Sequence, residues 1–178
     1  PKPGKAPLFK VILNNELNKS KVYSLSLSTS GNLYVATYNG LYIIDTNKKD
    51  FSEDNILNFN VENKQLPTDE ITTIKAIGDD TLWMGTTGYG ALKVTFNAEK
   101  KTISYVTIDH SNGLPNDNII SIAKGDGNNI WLGTEEGLAL VDGTNLWAKS
   151  YMPSTNVFGN MVSSIGILEL SNGTVLFA

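Results

Sequence analysis

Tyr34-Val35-Ala36-Thr37, Trp83-Met84-Gly85-Thr86 and Trp131-Leu132-Gly133-Thr134 are three copies of one pattern: an aromatic residue, any residue, a small residue and Thr. They begin 49 and 48 residues apart, and Leu176-Phe177-Ala178 opens a fourth copy 45 residues further on. The flanks keep the same period. Upstream, Leu66-Pro67-Thr68-Asp69-Glu70-Ile71 is matched by Leu114-Pro115-Asn116-Asp117-Asn118-Ile119; downstream, Gly40-Leu41 is matched by Gly137-Leu138. In the second copy the corresponding turn, Thr87-Gly88-Tyr89-Gly90-Ala91-Leu92, reads as two residues longer. Three independent features that hold one period establish an internal repeat, and a repeat of this length is one supersecondary unit.

Each unit reads as four short strands. In the second unit these are residues 71–77, 81–86, 91–97 and 102–109, rich in Ile, Val, Thr, Tyr and Trp and separated by turn residues. Leu82-Trp83-Met84 is continuously apolar instead of alternating, so both faces of that strand are expected to be buried. Four strands per repeat with two covered faces describe the blade of a β-propeller. Residues i and i+2 of a strand share a face, so Trp83 lies beside Gly85 and Trp131 beside Gly133, and the small residue leaves room for the next sheet. The expected fold is all-β: a β-propeller segment with about three complete four-stranded antiparallel blades plus partial blades at both ends. Residues 1–178 form one partial propeller, with an outer strand over 8–13, blades over about 21–61, 71–109 and 119–153, and an incomplete blade over 162–178. Closed rings have at least four blades. The remaining blades of the same chain are therefore expected partners, and an isolated copy would expose sheet edges that recruit other chains.

Composition removes several functions. The chain has 14 Lys and no Arg against 18 acidic residues, for a formal net charge of −4. Scattered cations without a guanidinium fork argue against nucleic acid as a partner. With no Cys, there is no disulfide, thiolate metal site or thiol nucleophile. No 18-residue apolar stretch suits a membrane-spanning helix, and the Lys-rich start (Lys2, Lys5, Lys10) lacks the apolar run of an export signal. No metal or other cofactor is expected. His110 is the only His, so neither a His-based metal site nor a Ser-His-Asp triad can be read here.

Strand alternation places the turn after each second strand (37–40, 86–90, 134–137) and each connection into the next blade (63–69, 110–117) on one face, called the upper face below. The candidate ligand-binding residues there are Tyr38, Asn39, Tyr89, His110, Asn112, Glu135 and Glu136, with Ser111 alongside. Aromatic rings and amides can stack on and hydrogen-bond a sugar. Tyr34, Trp83, Gly85, Trp131 and Gly133 repeat in phase with the blade core and are assigned to packing. Asp69 and Asp117 also repeat in phase, and a short carboxylate at a turn commonly bonds its own backbone. No catalytic residue is assigned.

Gly113-Leu114-Pro115-Asn116-Asp117-Asn118-Ile119-Ile120-Ser121-Ile122, followed by residues 127–138 (Gly-Asn-Asn-Ile-Trp-Leu-Gly-Thr-Glu-Glu-Gly-Leu), resembles the two-component regulator propeller repeat. The match is specific in the third unit, good in the second and weaker in the first, where Tyr34 and Ala36 replace Trp and Gly. Phe158-Gly159 and residues 170–177 resemble the last propeller repeat before the all-β domain that joins the membrane. The resemblance implies the periplasmic sensor region of a hybrid two-component histidine kinase in glycan-degrading bacteria. It further implies an oligosaccharide ligand, signalling through a homodimer, and anchorage of the full-length protein to the inner membrane. A propeller-fold lyase, with His110 and an upper-face carboxylate abstracting a proton, and a protein-interaction scaffold are the competing readings.

Overall fold

The computed structural model describes residues 17–48, 55–151, 167–169 and 175–177. Three antiparallel four-stranded sheets follow one another along the chain. The first holds β1 (Val22–Leu27), β2 (Asn32–Thr37), β3 (Gly40–Asp45) and β4 (Ile56–Phe59). The second holds β5 (Ile71–Ala76), β6 (Thr81–Thr86), β7 (Ala91–Asn97) and β8 (Thr102–Ile108). The third holds β9 (Ile119–Lys124), β10 (Asn129–Thr134), β11 (Gly137–Asp142) and β12 (Ala148–Tyr151). β13 (Ile167–Glu169) pairs antiparallel with β14 (Val175–Phe177). The outer strand expected over 8–13, and the Phe158-Gly159 pair, lie outside the described residues.

Each sheet is a meander whose strands pair in chain order, which is the blade expected from the repeat. The first strands β1, β5 and β9 adjoin one another in succession, so they form the inner rim and β4, β8 and β12 the outer one. One apolar layer lies between blades 1 and 2, drawn from Tyr34, Ile43 and Phe59 on one side and Ile74, Leu82, Met84 and Val94 on the other. The next layer lies between blades 2 and 3, where Trp83 and Ile108 meet Ile119, Ile130 and Leu132. Consecutive residues of β6 therefore serve opposite layers, which explains the unbroken apolar run Leu82-Trp83-Met84.

The small residue of the repeat marks the closest approach of two sheets. A Cβ added at Gly85 would stand 2.7 Å from the Cγ2 atoms of both Ile119 and Thr73. Ile119 and Thr73 are β-branched and stiff, so neither can step aside cheaply. Beside that gap Trp83 is buried, as is Tyr34 at the equivalent place in blade 1. Trp131 is also buried, with its ring tilted against Tyr151 at 5.6 Å.

The pairing registers correct the length of the turn between β6 and β7. Tyr34 pairs with Ile43 and Trp83 with Lys93, so the in-phase partner of Leu41 is Ala91 rather than Leu92. The turn has one extra residue, not two. Leu92 resembles Leu41 in type, but the position is fixed by Gly90, which has the role of Gly40.

β1, β5 and β9 each carry a bulge near the upper end. Register shifts between Val22 and Ser24, between Ile71 and Thr73, and opposite Gly133 and Thr134 leave Tyr23, Thr72 and Ile120 without pairing partners. Bulges re-aim side chains and end pairing. The edges of the inner strands are joined by hydroxyls. Ile74 and Ala76 donate their N–H groups to Ser24 Oγ (3.2 Å) and Ser26 Oγ (2.9 Å), and Thr72 Oγ1 donates to the Ile119 carbonyl at 2.6 Å.

Two stability outcomes follow from this packing. Gly85→Ala should destabilise the protein by about 1–3 kcal/mol through overpacking, and Trp83→Ala by about 3–5 kcal/mol through lost burial and a cavity; denaturant midpoints measure both. The Tyr34 hydroxyl donates to the Asp79 carbonyl at 3.4 Å, and burial, followed by the charge of Asp80, pushes its pKa up from 10.0 to about 12. The folded state holds that proton more tightly than the unfolded chain, so stability is intact below pH 10 and falls as the pH rises from 10.0 to about 12. A shift of that size corresponds to about 2–3 kcal/mol. Tyr34→Phe should remove this component of the alkaline loss in pH-dependent melts.

Candidate ligand-binding face

The upper face is built by three small devices, one found in all three blades and two shared by the first two. The first is the Thr that ends the second strand. Thr37, Thr86 and Thr134 are fully buried, and their hydroxyls donate to the carbonyls of Gly40 (2.9 Å), Gly90 (2.7 Å) and Gly137 (2.8 Å). The Thr37 and Thr134 hydroxyls also accept the N–H groups of Asn39 and Glu136, so each closes its own turn. Thr86→Val keeps the shape of the side chain but leaves the Gly90 carbonyl with the residue 86 N–H, at 3.2 Å, in place of two donors. It should cost about 0.5–1.5 kcal/mol, read as a lowered unfolding midpoint.

The second device ties each turn to the connection behind it. Gly40 donates its N–H to the Asp69 carbonyl and Gly90 to that of Asp117, at 3.3 and 2.9 Å. Both glycines have positive φ, +93° and +70°, and a Cβ on either would collide with the carbonyl of Phe59 or Ile108. The residue after each Thr is pinned as well: Tyr38, Thr87 and Glu135 donate N–H to the carbonyls of Lys21, Glu70 and Asn118. Turns and connections therefore do emerge together, on one face.

The third device is the in-phase carboxylate. Asp69 accepts the Val61 N–H at 2.7 Å and Asp117 accepts the His110 N–H at 2.8 Å, each closing its own connection. Inside those loops, Asn60 donates its N–H to Asn63 Oδ1 as Asp109 does to Asn112 Oδ1, both at 3.1 Å. His110 thus occupies the place of Val61, and Asn112 that of Asn63. Residues 110–112 form a single 3₁₀ turn capped by Asp109. The Ser111 hydroxyl, then the Ser111 N–H, hold the Asp109 carboxyl below the usual carboxylate range. The His110 ring Nδ1 lies 3.2 Å from the Leu114 carbonyl.

The other candidates sit on the turns. Tyr38 and Tyr89 are 56% and 50% exposed, so both rings stand clear of the sheets. Glu135 and Glu136 are exposed, and Glu135 Oε2 accepts the Asn118 side-chain amide at 2.7 Å. Asn39 donates its amide to Ser20 Oγ at 2.9 Å and lines a cavity of about 540 Å³ with Tyr42, Ile56, Asn58, Asn60, Glu62 and Asp69. Within it, Asn60 Nδ2 donates to Asn58 Oδ1 at 2.6 Å, and Asn58 Nδ2 to the Asn39 carbonyl at 3.3 Å. A second cleft of about 160 Å³ lies between Tyr38 and Tyr23 in blade 1 and Glu70, Ile71, Thr72 and Thr87 in blade 2.

Sequence reasoning passed over Asn58, Asn60, Glu62, Tyr23, Glu70, Thr72 and Thr87. The first two carried a usable signal, because Asn58 and Asn60 are spaced i, i+2 and so share a side of the chain as it leaves β4. Tyr23 and Thr72 carried none, since their placement depends on bulges. Among the described residues no group of three or more His, Cys, Asp or Glu could hold a metal ion, and no helix is long and apolar enough to cross a membrane.

Sheets of four antiparallel strands, packed face to face with their first strands adjoining, place the chain among β-propellers. Within it, residues 113–136 match the family model described as Two component regulator propeller, so this stretch, from the end of a connection through β9 and β10 to the following turn, is a repeat of that kind. The extracellular domain of a B. thetaiotaomicron protein described as a hybrid two component system is similar in structure. Its TM-score is 0.63 at 19% identity, over 88% of this chain and 19% of that one. The β-propeller domain of Cps50 (Swd1) from Myceliophteria thermophila is similar at TM-score 0.61 and 12% identity, over 88% of this chain and 48% of that one. Both likenesses establish the fold, and the chain spans about a fifth of the first protein and about half of the second. No curated protein matches the chain.

Proposed function

We propose that this chain is a ligand-sensing segment of a β-propeller in a two-component regulator, that it binds an oligosaccharide on its upper face, and that it performs no chemistry itself. The observation that carries this reading is the cavity of about 540 Å³ in which Asn39, Asn58 and Asn60 meet Glu62, Asp69 and the Tyr42 ring. Its volume is that of a small-molecule site, and its amides and carboxylates suit a ligand rich in hydroxyls. Tyr89, held up between Gly88 and Gly90, adds a ring on which a sugar can stack. The repeat over residues 113–136 supports the signalling role. In the complete protein the segment lies in the periplasm, is anchored to the inner membrane and signals as a homodimer to a histidine kinase.

The lyase reading is less well supported. His110 presents its ring nitrogen to a backbone carbonyl, and the nearby Asp117 carboxylate is engaged by the His110 amide. Neither group faces the other as an acid and base would.

Calorimetry of the full chain with neutral oligosaccharides tests the proposal. Asn39→Ala and Tyr89→Ala should each weaken binding by about 1–3 kcal/mol, with the melting temperature nearly unmoved. Unaltered affinity in both, with loss on Asp80→Ala or Asn128→Ala instead, would place the site on the lower face and overturn the assignment.

A further inference from the structure

The smaller cleft, between blades 1 and 2, differs from the amide-lined cavity in chemistry as well as place. Its walls are two of the recurring junctions. Tyr38 is pinned by its N–H to Lys21 at 3.1 Å, and Glu70 by its carbonyl to Thr87 at 3.2 Å, so a ring and a carboxylate are presented across one seam by fixed backbone. Tyr23, at the bulge of β1, supplies a second ring. The two rings are 43% and 56% exposed. Among the described residues the Glu70 carboxylate has no hydrogen bond or ion pair. The third junction is of another kind, for there Glu135 is already satisfied by Asn118 at 2.7 Å.

A cation already uses one of these rings. Lys21 Nζ stands over the Tyr23 ring, 4.8 Å from its centroid. An ammonium gains from the negative face of an aromatic ring and from a nearby carboxylate. About 160 Å³ is the share of roughly five water molecules, enough for an ammonium head and the first atoms behind it. We propose that this cleft binds a primary ammonium group of a small ligand, an alkyl amine or an amino sugar. Glu70 supplies the counter-charge and Tyr23 and Tyr38 the walls, and the incoming group competes with the Lys21 ammonium for the Tyr23 ring. This site is separate from the oligosaccharide cavity, and binding of neutral glycans is measured independently of it.

Titration calorimetry of the full chain with cadaverine, glucosamine and N-acetylglucosamine tests the proposal. At least one of the two amines should bind, and N-acetylglucosamine, whose nitrogen carries no charge, should not compete. Tighter binding of cadaverine identifies an alkyl amine as the ligand, and tighter binding of glucosamine an amino sugar. Glu70→Gln should lower the affinity about 5- to 20-fold, and Lys21→Met should raise it about 2- to 5-fold by removing the internal competitor. Both side chains are exposed, so neither change should disturb folding, and a gain on losing Lys21 is not expected of a merely structural residue. Binding of neither amine, displacement of the bound amine by N-acetylglucosamine, an unchanged affinity in Glu70→Gln, or an unchanged or lower one in Lys21→Met would overturn it.

Discussion

The sheet of β5–β8 is covered on both faces by its neighbours, and that double burial governs the rest of the molecule. A β-sheet with one covered face can alternate apolar and polar residues, whereas a sheet between two others must be apolar on successive residues and thin where the neighbours come closest. Gly85 is the point at which this requirement is strictest, with Ile119 and Thr73 already at contact distance from the space a Cβ would fill. Large and small residues must then alternate along one side of β6, and Trp83 can be buried there only because Gly85 lies two residues on. The same requirement, imposed once per blade, produces the period in the sequence.

The blades were legible because packing constrains the same positions in every repeat. Tyr34, Trp83 and Trp131 announced the second strands, and the turn residues around them set the remaining boundaries. One reading failed in an instructive way. Leu92 looks like the counterpart of Leu41, but register is fixed by backbone bonding, and the bonds from Gly90 to Asp117 and from the Thr86 hydroxyl to Gly90 place Ala91 there instead. The bulges at Tyr23, Thr72 and Ile120 were not legible at all. A bulge inserts a residue without changing the composition around it, so no pattern of residue types reveals it.

The candidate site was only partly legible, for the complementary reason. Residues that recur in phase are held by the scaffold: Asp69 and Asp117 close their own loops, and Asn112, like Asn63, braces one from inside. What differs between repeats is what can recognise a ligand. Lys21, Glu70 and Asn118 occupy one recurring position, and Tyr38, Thr87 and Glu135 another. Identical backbone frames therefore present a cation and a ring, an acid and a hydroxyl, and an acid that accepts an amide N–H. Which of these pairs face each other is decided by how adjoining blades meet, and that information lies outside any single repeat.

The bonds that join blade 1 to blade 2 are unevenly distributed from centre to rim. Near the inner strands they are directional: the Ser24 and Ser26 hydroxyls accept backbone N–H groups from β5, and Ser30 and Tyr34 donate to the Asp79 carbonyl. Farther out the seam is apolar, with Phe59 and Phe96 meeting edge to face at 6.3 Å. Hydrogen bonds resist sliding and tilting because they depend on angle, while dispersion contacts between rings tolerate small rotations. The inner strands consequently act as a hinge line. A small tilt between two blades leaves the centre nearly still and grows with distance from it, which makes the outer edge of the propeller its most responsive part.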